Sequence, residues 1–173
     1  MTPLKTLWNA AKKELPKLLL QGAVSALGFL LALSINGWVE QQKEINTYHS
    51  MLSAVRTEAS ANQAIVNTSY KNYFLAGMVI KEFRYSTATQ MLGNPLFMKY
   101  AATADIQLLN DYVDHLSLAN GYRQVAETLM LQQPATPDAV LNPSGWLQSV
   151  EGSWADLLPA VQKDVEAAAK LKD

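Results

Sequence analysis

A run of 22 residues without a charged side chain, residues 18–39, constrains this chain more than any other feature. As an α-helix at 1.5 Å per residue it would be about 33 Å long, enough to cross a hydrocarbon core of about 30 Å. Trp8 and Trp38 lie towards its two ends, where tryptophans anchor helices at the membrane–water interface. We therefore predict one transmembrane helix over residues 18–39. A buried helix of a water-soluble protein is the alternative.

The charges that flank this run predict its orientation. Lys5, Lys12, Lys13 and Lys17 precede it against one acidic residue, Glu14, whereas residues 40–173 carry 10 basic and 14 acidic side chains. Because basic residues stay on the cytoplasmic side of a membrane, we expect a cytoplasmic N-terminus and a periplasmic C-terminal part in a bacterial inner membrane. The sequence "ALS" at residues 32–34 could be a signal-peptide cleavage site, but we expect an uncleaved signal anchor.

The residues before the span, 1–17, have an apolar side of their own. Leu4, Leu7, Trp8, Ala11 and Leu15 share one face of a helix that would begin after a threonine and a proline. A cytoplasmic amphipathic helix lying on the inner membrane surface is one interpretation. A simple cytoplasmic tail is the other.

Polar and small residues within the span are sorted onto one side. At 100° per residue they fall within about 80° of one another, with Ser34 as the exception. Small residues let a second helix approach, and amide side chains bond across such a contact for about 0.6–2 kcal/mol each. We therefore predict that this stripe docks against another transmembrane helix. The stripe consists of Gln21, Ser25, Gly28, Ala32 and Asn36.

The stripe also limits what the span can do. It holds no His, Lys, Asp or Glu, which argues against a proton relay, an ion path or a cofactor ligand on this helix. Its spacing leaves open whether the partner is a second copy or a different protein. We expect the lipid bilayer and other integral membrane subunits as partners, with a hetero-oligomer favoured over a homodimer.

The residues after the span have helical spacing. We predict an all-α fold in which the membrane helix continues outward to about residue 90, with a break near residues 67–69 or at Gly77. "LGNP" at residues 92–95 indicates a turn, and residues 104–131 a second helix. Residues 40–131 would form a periplasmic helical hairpin or small bundle. Residues 132–173 would form a proline-containing connector and a last helix over residues 154–171, with Pro159 near its start.

The motif around the end of the span resembles a group of bacterial single-pass inner-membrane proteins of unknown function. That group has a span ending in an A-L-x-x-N-x-W-x-E type motif, followed by a long helix with a Y-x-x-x-L-x-x-[IV]-[RK]-x-E pattern. The resemblance covers residues 18–65 and implies a fold and a topology, but no activity. The matching residues are Ala32, Leu33, Asn36, Trp38, Glu40, Tyr48, Leu52, Val55, Arg56 and Glu58.

The sequence contains little that indicates chemistry. The absence of cysteine excludes disulfides and thiolate sites, and no phosphate-binding, dinucleotide-binding or hydrolase motif occurs. Asp111, Asp114 and His115 share a helical face, but a metal site would need His49 or another acid to join them. We expect no catalytic residue, metal or cofactor. A net charge of −1 without a basic patch argues against nucleic-acid binding.

Two tryptophans in "GWLQSVEGSW", Trp146 and Trp154, fall in a segment that we predict to be irregular. They are candidates for periplasmic partner contacts, with the outer membrane–water boundary or packing against the chain's own helices as alternatives. The favoured function is a non-catalytic accessory subunit of a larger bacterial inner-membrane complex. The alternative is a periplasmic ligand-sensing module that signals through a membrane partner.

Overall fold

A computed structural model of the chain describes residues 3–67, 81–132 and 145–172. These ranges contain no strand, which confirms the all-α class. The chain divides into two compact units, Met1–Asn46 and Thr47–Asp173. The described helices are α1 (Pro3–Asn67), α2 (Ser86–Leu92), α3 (Pro95–Tyr100), α4 (Thr103–Gln132) and α5 (Gly145–Ala168).

Helix α1 runs through the predicted span without interruption. It includes Pro16, continues past residue 39 and is described as far as Asn67, so the rest of the predicted break at residues 67–69 lies outside the described residues. Residues 81–85 are not helical, so the helix does not extend to residue 90. Gly77, the other predicted break, and the apolar residues Tyr70, Tyr73 and Phe74 lie outside the described residues.

The first unit consists of the N-terminal part of α1. This is the one helix among the described residues that is long and apolar enough to cross a membrane, and none of its most apolar stretch is buried within the chain. Its large apolar side chains are exposed in every direction around the helix axis, with Leu20 at 69% and Leu31 at 63%. A core helix of a soluble domain would bury such residues, so this pattern favours a lipid environment.

The second unit has a core to which every described helix contributes. Helix α4 packs along α5, and α2 contacts both α3 and α4. The part of α1 after residue 46 adds apolar residues to the same cluster at helical spacing. The fully buried residues of this core include Leu52, Val55 and Ala59 of α1, Ala88 of α2, Phe97 of α3, Leu109, Tyr112 and Leu116 of α4, and Ala168 of α5.

The predicted turn at residues 92–95 separates α2 from α3. The backbone N–H of Gly93 donates to Thr89, which ends α2, and Pro95 begins α3. The Asn94 side chain accepts a hydrogen bond from the Leu96 N–H at 2.9 Å. Asn94 is therefore the N-cap of α3, and proline takes the first helical position, where its missing N–H is not needed.

Helix α4 agrees with the predicted second helix within one residue at each end. Leu109 and Leu116 are fully buried, as the apolar spacing predicts. Val125 continues the same apolar spacing but is 47% exposed, and the neighbouring Ala126 is buried instead. Near this point the inward face of α4 therefore uses small residues rather than branched ones.

The prediction for α5 is wrong at its start. The helix begins at Gly145, nine residues before the predicted position, and Pro159 lies inside it. Glycine and proline lower helix propensity by about 1 and 3 kcal/mol, which is why this stretch resembled an irregular segment. Tertiary packing outweighs that cost, because Trp154, Val161 and Val165 are all buried on one face of the helix.

Candidate functional site

The predicted stripe lies on a part of α1 that is helical throughout. Regular helical geometry therefore keeps its residues, from Gln21 to Asn36, on one side of α1. All five are exposed, and a methyl group built on Gly28 would meet nothing within 4 Å. The described residues leave the space above the stripe open. Docking of a second helix there stays a prediction.

Hydrogen bonding distinguishes the stripe from the polar residue outside it. The Ser34 hydroxyl donates to the Leu30 carbonyl one turn earlier at 2.9 Å, so this serine is satisfied by its own helix. The amides of Gln21 and Asn36 make no hydrogen bond to another described residue. Because an unpaired amide in hydrocarbon is costly, these two groups are the ones for which a partner would matter.

The two predicted membrane-interface anchors, Trp8 and Trp38, and the two candidate partner contacts, Trp146 and Trp154, have different surroundings. Trp38 is 62% exposed, and Trp154 is 3% exposed, with its ring stacked on Phe83 at a centroid separation of 6.2 Å. Trp154 therefore packs against the chain's own helices rather than lying on the surface as a partner contact. Trp146 lies in the first turn of α5 rather than in an irregular segment. The side chains of Trp8 and Trp146 are outside the described residues.

A buried polar cluster that was not among the predicted sites joins α1, α4 and residues 81–88. Asn62 is fully buried, and its amide pairs with the main chain of Arg84. Its Oδ1 accepts from the Arg84 N–H at 2.9 Å, and its Nδ2 donates to the Arg84 carbonyl at 2.5 Å. The Asn62 amide therefore satisfies both main-chain groups of Arg84, as a neighbouring strand would do in a sheet.

Asn120 of α4 makes the matching contact one residue earlier. Its Oδ1 accepts from the Phe83 N–H at 3.0 Å, and its Nδ2 donates to the Phe83 carbonyl at 2.8 Å. The two amides hold the main chain of Phe83 and Arg84 in a non-helical conformation. Their donors and acceptors replace the helical hydrogen bonds that this segment would otherwise require.

Glu58 lies one turn before Asn62 on α1 and caps α2. Its carboxylate oxygens accept from the N–H groups of Thr87 at 2.8 Å and Ala88 at 3.3 Å. A negative charge at a helix N-terminus is favourable because the first N–H groups have no partner within the helix. Glu58 is 8% exposed, so these contacts satisfy a carboxylate that is largely removed from water.

Tyr112 of α4 completes the cluster. Its hydroxyl oxygen accepts from Asn62 Nδ2 at 2.7 Å and lies 3.3 Å from the Arg84 carbonyl. Burial, and to a smaller extent the charge of Glu58, raises the pKa of the Tyr112 phenol above its usual range. The Tyr112 hydroxyl is therefore neutral in the core.

His115 of α4 contacts Asp164 of α5 instead of the acids on its own helix. Its Nδ1 is 2.5 Å from Asp164 Oδ2, and Asp164 is 6% exposed. This side-chain contact joins the two helices. The described residues contain no group of three His, Cys, Asp or Glu side chains that could hold a metal ion.

Asn62 and Asn120 could have been found from their positions. Asn62 falls on the apolar face of α1 that includes Val55, Ala59 and Val66. Asn120 follows the buried Ala119 on α4. A polar residue on an apolar helical face needs a partner, and that is the signal the sequence offered. The sequence matches no protein-family model and no curated protein, and the fold matches no solved structure.

Proposed function

We propose that this protein is a non-catalytic accessory subunit of a larger bacterial inner-membrane complex. In this proposal α1 docks on a partner helix through the stripe, and the second unit braces the periplasmic face of the assembly. The observation that carries the proposal is the difference between Ser34, bonded to its own helix, and Gln21 and Asn36, whose amides have no described partner.

The exposure of α1 supports a membrane setting for this docking. Residues on both sides of the helix are exposed, but only the stripe side combines small residues with amides. Lipid chains can cover the leucine-rich side, whereas they offer no hydrogen bond to an amide. A protein helix supplies both the close packing and the polar partners that the stripe side needs.

The orientation in the proposal follows from the charges around the span. Four lysines before the span favour a cytoplasmic N-terminus, which would put the second unit in the periplasm. Trp38 would lie at the outer interface and Trp8 at the inner one. The second unit has a packed core of its own, as a rigid brace requires. The resemblance to bacterial single-pass proteins agrees with this topology.

Purification of the tagged full-length protein in a mild detergent tests the proposal. Native mass measurement and identification of what co-migrates should give a stoichiometric set of other integral membrane proteins. A lone monomer would contradict the proposal, and so would a homodimer without other subunits. Either result would leave ligand sensing by the periplasmic helices as the function to test next.

A further inference from the structure

Residues 81–88, called the strap below, consist of the non-helical residues 81–85 and the first three residues of α2. Lys81, Glu82 and Arg84 are exposed, whereas Phe83 between them is 2% exposed and stacks on Trp154. One face of the strap is therefore solvated and the other covers an aromatic part of the core. No second layer of described residues buries its outer face.

The strap is attached through side chains of the helices beneath it. Its N–H groups at Phe83, Arg84, Thr87 and Ala88 all donate to side-chain oxygens of α1 and α4, which belong to Glu58, Asn62 and Asn120. Phe83 and Arg84 are not helical, and Thr87 and Ala88 lie in the first turn of α2, where N–H groups have no main-chain acceptor within the helix. Three side chains therefore supply the acceptors for these four N–H groups.

These attachments are linked to one another. The Asn62 amide holds both main-chain groups of Arg84 and also donates to Tyr112, and Glu58 lies one turn before it on the same helix. Moving Arg84 away would leave Asn62 and Tyr112 buried with fewer hydrogen-bond partners. Phe83 would move with Arg84, because the two residues are adjacent in the chain. Partial release therefore leaves buried polar groups unpaired, and complete release lets water reach them all.

We propose that the strap opens as one unit while the rest of the core stays folded, and that opening uncovers Trp154. The described chain then has two states, one with the aromatic surface covered and one with it available. Trp154 would become a surface residue only in the open state. Opening is easier than unfolding because one face of the strap is solvated, whereas α4 and α5 pack along each other and bury side chains on both.

Native-state amide hydrogen exchange on the full-length protein in detergent micelles tests this. The four strap amides should share one opening rate, and that rate should exceed the rate of the Leu116 and Val165 amides in the core. The indole N–H of Trp154 should exchange with the strap. Strap amides that exchange as slowly as the core amides would overturn the proposal, because opening would then require global unfolding.

Tyr112→Phe is the variant that tests the linkage with least risk to folding, because it removes only the hydroxyl beneath Arg84. We expect exchange at all four strap amides to rise by the same factor, about tenfold for one buried hydrogen bond. Asn110→Ala is the matched control on α4, since the Asn110 amide bonds only to its own helix at Ile106, and it should leave the four rates unchanged. A rise confined to Arg84 would overturn the proposal.

Discussion

Asn62 and Tyr112 are 50 residues apart in the chain, yet their side chains meet in the core, with Asn62 Nδ2 donating to the Tyr112 hydroxyl oxygen at 2.7 Å. Asn62 is on α1 and Tyr112 is on α4. The same amide also pairs with Arg84, so one side chain fixes the position of α1 against both α4 and the strap. A shift of α1 by one residue would separate all of these groups.

Replacing Asn62 with alanine should therefore lower the free energy of unfolding of the second unit by about 2–4 kcal/mol. The change removes three hydrogen bonds and leaves the buried N–H of Arg84 without its acceptor. Chemical denaturation of the full-length protein in micelles, followed by near-ultraviolet circular dichroism, measures it. Asn110→Ala, an exposed amide on α4, should change the value by less than about 0.5 kcal/mol. Equal effects of the two changes would refute a clamping role for Asn62.

Glu58→Gln should loosen the start of α2 and change the titration of Tyr112. The Glu58 carboxylate offers one acceptor oxygen to each of the Thr87 and Ala88 N–H groups, whereas an amide replaces one of these oxygens with a donor. We therefore expect the free energy of unfolding to fall by about 1–3 kcal/mol. Removing the charge should also bring the pKa of Tyr112 down, but burial, the larger cause, should keep it above the usual range. The phenolate absorbance of the variant and the wild type, followed against pH, checks this second effect.

The sign of the resulting pH dependence follows from the direction of that shift. A pKa that is raised in the folded state contributes stability that is complete below the ordinary tyrosine pKa of about 10 and is lost as the pH rises above it. Wild-type stability should therefore fall on the alkaline side, and Tyr112→Phe should remove that part of the fall. An unchanged alkaline profile in Tyr112→Phe would show that the phenol is not responsible.

Trp154→Ala should destabilise the second unit by about 3–5 kcal/mol, since the ring is buried against Phe83. Trp154→Phe should cost less, because a smaller ring can still stack. Trp38→Ala is the control, since Trp38 lies in the other unit and is 62% exposed, and it should leave the unfolding of the second unit unchanged. If Trp154→Ala were as mild as Trp38→Ala, the core position of Trp154 would be wrong.

Sequence patterns predicted the elements whose packing follows their periodicity, and failed where a buried polar group or local composition decided the structure. The bounds of α4 follow from a regular apolar spacing that includes Leu109 and Leu116. The strap is not predictable in this way. Its conformation depends on Asn62 and Asn120, which bond to the main chain of Arg84 and Phe83 at 22 and 37 residues' separation, and a spacing rule within one element cannot detect such contacts.

The same contrast applies to the predicted sites. The stripe on α1 needs only a continuous helix to be assembled, and that continuity is present from Gln21 to Asn36. The prediction for Trp154 depended on an irregular segment around it, and the segment is helical. Gly152 favours a loop by composition. In the helix, however, a Cβ added at this position would meet nothing within 4 Å. Composition alone does not reveal that the opposite face of this helix is buried.

Trp146→Ala tests whether the start of α5 contacts a partner. If the periplasmic unit is attached through Trp146, removing the ring should weaken retention of the protein in a pull-down of the assembled complex, while membrane insertion stays normal. Trp154→Phe is the matched control, because it alters a tryptophan of the same helix that is buried within the chain. Retention that is unchanged in Trp146→Ala would remove Trp146 from the proposed interface.

Enlarging the small residues of the stripe is the most direct test of helix docking. Gly28→Leu combined with Ala32→Leu should release the protein from its partner and leave membrane insertion intact, because bulky side chains keep a second helix from approaching. The chain itself tolerates the change at Gly28, where an added Cβ meets nothing within 4 Å. Native mass measurement after mild-detergent purification would show the loss of co-migrating subunits.

The control for this experiment places the same bulk on the other side of the helix. Gly37→Leu combined with Ala23→Leu adds the same atoms, and Gly37 likewise has nothing within 4 Å of an added Cβ. At 100° per residue, Ala23 lies about 180° from Ala32, so this pair should leave the complex assembled. Survival of the complex in the stripe variant would show that the stripe is not the interface. Loss of the complex in both variants would indicate that assembly depends on the total side-chain volume of the span rather than on one face of it.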